Sequence, residues 1–189
     1  MFMRDSWRRL LHTGLFLGSF CAVSAGAQPY GLGRPATADA IAAWNIDVDA
    51  LGRGLPPGQG SVAQGAALYA EKCAACHGAN GEGKPADALV GGAGTLANPN
   101  PSKTVGSFWP YATTLFDFIN RAMPYTAPQS LRPSDVYALT AWVLYRNGIV
   151  PADAVLDAGN LAQVSMPNRA GFVPDLRPDT RNAACSNCR

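Results

Sequence analysis

The chain has 189 residues and a formal net charge of +2, with fifteen lysines and arginines against thirteen aspartates and glutamates. That balance gives no sign of the strongly basic character that nucleic acid or an anionic membrane would call for, and no nucleic-acid partner is expected. Twenty glycines and fifteen prolines exclude a bundle of long uninterrupted helices and point to short ones joined by turn-rich segments.

Residues 1–27 read as an export signal. Arg4, Arg8 and Arg9 form a basic start, residues 10–23 an apolar run, and Ala25, Gly26 and Ala27 the small residues before a cut ahead of Gln28. The run falls short of the ~20 apolar residues that span a bilayer. No other stretch is long and apolar enough, so the mature chain is expected to have no membrane span and to work in the periplasm. Cleavage removes three basic residues and one acidic one, which leaves twelve of each. It also removes His12, Cys21 and two methionines, leaving one histidine, four cysteines, Met123 and Met166. An even cysteine count suits an oxidising compartment.

Residues 28–60 are rich in Gly, Pro and Ala, with a short helix expected around residues 37–43 and the string LGRGLPPGQG at the end. They read as an extension that wraps or links. Ser61 opens a helix, SVAQGAALYAEKCAAC, in which Ala66, Tyr69, Cys73 and Cys76 recur along one face. Gly65 marks a place where another backbone can approach closely. Residues 78–110 have little periodicity and many breakers, among them GGAG and NPNP. A loop of that length argues against a compact domain unless something other than protein organises it.

Helical spacing returns over residues 113–122, with Leu115, Phe116, Ile119 and Ala122 on one side, and stops at Met123-Pro124 because the residue before proline is steered out of the helical region. Pro133-Ser134-Asp135 starts the last helix, VYALTAWVLYRNG, which Asn147-Gly148 ends with Arg146 in its final turn. Residues 150–189 form a second Pro-rich extension. No strand pattern stands out. The expected fold is all-α, divided as signal 1–27, extension 28–60, helical domain 61–149 and extension 150–189.

The stretch CAACHGANGEG, residues 73–83, carries the chemistry. C-x-x-C-H is the pattern of covalent haem attachment, with Cys73 and Cys76 reaching one ring by thioether bonds and His77 facing the iron. A disulfide or part of a zinc site is the alternative, but zinc wants four N or S ligands and the only others are Cys185 and Cys188 at the far end. With His77 used, no second histidine remains in the mature chain. Methionine is the usual replacement and raises the reduction potential. Met123 follows a helix and precedes the last one, a place from which a side chain can cross a ring while a helix packs behind it. Met166 lies in the Pro-rich tail and reads as a core gap-filler. The expected iron ligands are His77 and Met123, in a single haem c.

Gly65, Tyr69, Cys73, Cys76, His77 and Gly78, then Ala122-Met123-Pro124, then Ala141-Trp142, together resemble a class I c-type cytochrome over residues 60–150. The resemblance implies that the first and last helices cross near Gly65, Tyr69 and Trp142. The strings WNIDVDALGRGLPPGQGSVAQGAALY, LVGG, TVGSFWPYATTLFDFINRAMP, SLRPSDVYALTAWVLYRNGIV and MPNRAGF resemble the SoxD-type cytochromes more narrowly. Those are haem subunits that partner molybdenum-containing sulfane or sulfite dehydrogenases in bacterial sulfur oxidation. The resemblance implies electron transfer from such a molybdopterin subunit to an acceptor cytochrome or oxidase, with this chain a carrier rather than a catalyst by itself. The rivals are a carrier for another dehydrogenase or oxidase, or a haem peroxidase or sensor with an open sixth position.

Several side chains keep two readings. Many class I cytochromes place a proline after the haem histidine whose carbonyl accepts the imidazole N–H, but Pro85 comes early, so the carbonyl that orients His77 is open. Phe108, Trp109 and Tyr111 are either core aromatics or haem contacts. Arg121 either pairs with a propionate or is a solvated helix end. Cys185 and Cys188 read as a structural disulfide, with free or intermolecular thiols as the alternative.

Overall fold

The structure is a computed structural model that describes residues 33–174. The signal reading of residues 1–27 and the pairing of Cys185 with Cys188 lie outside the described residues. The chain divides into two compact units, residues 1–38 and 39–189, and the buried hydrophobic cluster of the described residues lies in the second.

A short helix α1 (Ala38–Ala42) buries no residue. Strand β1 (Gln59–Ser61) leads into α2 (Val62–Lys72), where Ser61 makes a reciprocal capping box with Gln64. The expected single helix through Cys76 is corrected here. Cys73, at φ −125°, leaves the helical range, and a separate turn α3 (Ala74–His77) follows. The buried stripe also differs. It runs through Val62, Gly65 and Tyr69 while Ala66 is exposed, because the partner helix crosses at the glycine.

Helix α4 (Ala112–Ala122) buries Leu115, Phe116 and Ile119 and stops at Met123 in an extended conformation. Helix α5 (Pro133–Arg146) has proline at its start and is buried without interruption from Val136 to Leu144. A helix apolar all round belongs in the middle of a core, and α5 packs against α2, α4 and β1. At its crossing with α2, a side chain on Gly65 would come within 2.7 Å of the Trp142 Cβ and closer still to the Ala138 carbonyl. Tyr69 stacks on Trp142 there, with centroids 3.7 Å apart.

Two short strands escaped the sequence reading: β1 pairs antiparallel with β2 (Val155–Asp157), Gly60 opposite Leu156. Three-residue strands carry too little alternation to be seen in sequence. The segment before β1 packs on α4 and α5. Val48 N–H donates to the Asp117 carboxylate at 2.8 Å, Thr113 Oγ1 to the Ala50 carbonyl at 3.2 Å and the Tyr137 hydroxyl to the Pro56 carbonyl at 2.9 Å. Residues after α5 return across the same side, burying Leu156, Leu161 and Met166.

Candidate functional site

The long loop of residues 78–110 is organised in large part by its own polar groups. Thr104 Oγ1 donates to the Gly91 carbonyl at 2.6 Å, Ser107 Oγ to the Ser102 carbonyl at 2.6 Å, and Thr104 N–H to Ser107 Oγ at 2.9 Å. Asn147, at the end of α5, donates to the Leu89 carbonyl at 3.1 Å and accepts from Gly91 N–H at 3.1 Å. These bonds fix the loop around one cavity.

The cavity measures about 480 Å³ and is mostly apolar, within the range of small-molecule and cofactor sites. Cys73, Cys76, His77 and Met123 all line it, with Trp109, Phe118, Leu131 and Val143 among its apolar walls. All four residues singled out by motif and spacing therefore meet at one place. Met166 is not among the lining residues and sits 2% exposed in the core.

Local structure explains the convergence. The Tyr69 hydroxyl donates to the Gly78 carbonyl at 2.9 Å, joining the helix crossing to the turn after His77, and burial pushes its pKa up to about 12. Ala86 N–H donates to the Cys76 carbonyl at 2.9 Å, and Gly83 N–H to the His77 carbonyl at 2.7 Å. Burial pushes the Cys73 thiol up to about 11. His77 Nδ1 lies 2.8 Å from the Asp87 carbonyl. A carbonyl can only accept, so Nδ1 carries a proton, and in the neutral ring Nε2 keeps its lone pair. The orienting carbonyl thus lies two residues beyond Pro85. A backbone oxygen has no signature in sequence.

Other readings resolve as well. Arg121 donates Nε to the Asp117 carboxylate at 2.9 Å, and a second bond from Nη2 makes the pair bidentate; Arg121 is not among the residues that line the cavity. Trp109 lines the cavity, whereas Phe108 and Tyr111 do not. The cations of the lining, Lys72 and Lys103, were not anticipated. Lys72 Nζ lies 2.9 Å from the Glu71 carboxylate, and Lys103 stands 5.0 Å over the Phe108 ring. Two thiols one turn apart, an imidazole with a free Nε2 and a thioether on one apolar cavity are the donor set an iron porphyrin attached through its edge demands, and the residues fit it.

A helical domain whose helices α2 and α5 cross at Gly65 and Trp142, next to a C-x-x-C-H turn, is a class I cytochrome c. Residues 62–146 match the cytochrome c family. A chain of the crystal structure of the sulfane dehydrogenase SoxCD from Paracoccus pantotrophus is 46% identical, with a TM-score of 0.74 over 84% of this chain and 78% of that one. The thiosulfate dehydrogenase TsdBA from Marichromatium purpuratum, in its as-isolated form, is 32% identical over 48% of this chain and 20% of that one, at a TM-score of 0.34. Comparison with curated proteins finds no match. The chain belongs to the cytochrome c family as a SoxD-type class I cytochrome, the type that forms the haem subunit of SoxCD. Haem c is that family's cofactor. No helix among the described residues is long and apolar enough to cross a membrane.

Proposed function

We propose that the chain carries one haem c, held through thioether bonds at Cys73 and Cys76 with His77 Nε2 and Met123 Sδ as iron ligands. In this reading it passes electrons in the periplasm from a molybdenum sulfane or sulfite dehydrogenase subunit to a downstream cytochrome or oxidase. The observation that carries it is the meeting of those four side chains on one apolar cavity. A bound haem c supplies a one-electron iron couple.

The chain's own residues do the rest. Asp87 holds the His77 proton on Nδ1, which fixes the tautomer and orients the ring. Met123 leaves the end of α4 in an extended conformation and lines the cavity, from where its thioether would reach the iron. The apolar lining excludes water and, with a thioether ligand, favours the reduced state. The 46% identity to a chain of SoxCD supports a sulfur-oxidising molybdenum partner. A peroxidase or sensor needs an open sixth position, and Met123 in the cavity wall argues against one.

Met123→Ala is expected to convert a low-spin spectrum into a high-spin or water-ligated one and to lower the reduction potential. Met166→Ala is expected to leave the spectrum intact, and the reverse result would move the ligand to the tail. Mixing the cytochrome with the partner dehydrogenase and its sulfur substrate should bleach the ferric bands. No reduction would remove the proposed donor.

A further inference from the structure

The string MPNRAGF, residues 166–172, is spent largely on one short loop. Met166 anchors it in the core at 2% exposure. Asn168 Nδ2 donates to the Phe108 carbonyl at 2.8 Å. The Arg169 guanidinium lies 4.5 Å over the Tyr111 ring. Phe172 meets the Phe108 ring with centroids 5.2 Å apart and a tilt of 59°.

Between the two gripped residues stands Trp109. Its ring meets Phe118 edge-on at 5.9 Å and 78°, and both rings line the cavity. Phe118 is 45% exposed and Trp109 is partly buried, and both belong to the cavity wall. None of Met166, Asn168, Arg169 or Phe172 lines the cavity itself. The tail touches the residues on either side of Trp109 and acts through them.

We propose that residues 166–172 are a latch that holds Trp109 against Phe118 and so governs the entry of water and small ligands to the iron; this rests on the haem reading above. One hydrogen bond, one cation–π contact and one ring pair on a half-exposed loop are individually weak. Such a contact set opens locally, without global unfolding. The three contacting residues, Asn168, Arg169 and Phe172, are positioning residues, and the gate they set is the Trp109 and Phe118 pair.

The test uses the full haem-loaded protein and its Arg169→Ala and Phe172→Ala variants. Two readouts are taken: hydrogen exchange of residues 104–111 and the rate at which imidazole binds the ferric protein. Both are expected to rise severalfold while the resting spectrum is kept. Arg169→Lys, which retains the cation over Tyr111, should restore both. Gln163→Ala, in the same tail but bonded to the Gly159 carbonyl, should change neither. Faster exchange with unchanged imidazole binding would overturn the gating role, as would variants that change neither readout. Should Phe172→Ala not fold, Phe172→Leu and the Arg169 pair decide the matter. A wild-type protein whose mass shows no covalent haem would overturn the haem reading and the gating with it, and the exchange data would then report the clasp alone.

Discussion

His77 shows how much one backbone atom can decide. The Asp87 carbonyl selects the tautomer whose Nε2 is available to a metal, and no side-chain substitution at position 87 removes that acceptor. Asp117 is the buried acid on which the N-terminal segment hangs, since its carboxylate takes Val48 N–H and both Arg121 donors. Asp117→Ala leaves the buried Val48 N–H unsatisfied and should cost about 1–3 kcal/mol in chemical denaturation. Acid behaviour follows from two other carboxylates. Arg132 beside Asp135 holds that carboxyl below the ordinary 3.8, and the backbone N–H groups of Glu82 itself and of Asn80 hold Glu82 below 4.5. Their folded pKa values are depressed, so the stability they confer is full above the ordinary values and drains away as pH falls through and below them. Thermal stability should therefore decline from about pH 4.5 downward. Arg132→Gln should soften that decline only slightly, because the arginine is exposed.

Among the elements, the crossing of α2 with α5 carries the most weight. Gly65→Ala gains helix propensity worth about 1 kcal/mol but drives a methyl into the Ala138 carbonyl and Trp142. Overpacking of that kind costs about 1–3 kcal/mol or more, so the variant should lose stability and loosen the Tyr69–Trp142 stack, visible in near-ultraviolet dichroism. The three main helices were legible in sequence because periodicity, proline and glycine mark their limits. The break at Cys73 was not, since nothing in KCAAC departs from helix-forming composition. The cavity's donors were legible because rare residue types at fixed spacing carry that chemistry. Its walls and the anchors of the long loop were not, since Asn147, Thr104 and Ser107 look like ordinary loop and cap residues until the fold brings partners 58 positions apart, as for Asn147 and Leu89.

For the whole molecule, a formal net charge of only +2 over 189 residues leaves little long-range steering. Electron transfer with the partner should therefore depend weakly on salt, measured as the second-order rate of haem reduction across a wide range of ionic strength. A steep slope would mean a concentrated local patch at the docking surface. The pairing of β1 with β2 and the packing of α2 on α5 have a different consequence. Both join parts of the chain that lie on opposite sides of residues 125–130, all of which are exposed. A protease cut there should yield two peptides that still elute as one particle. The first would carry Cys73, Cys76, His77 and Met123, the second α5 and the latch. The protein would then be two complementary halves, one bearing the proposed ligands and the other the mould that shapes them, joined by a loop whose cutting is expected to leave their association intact.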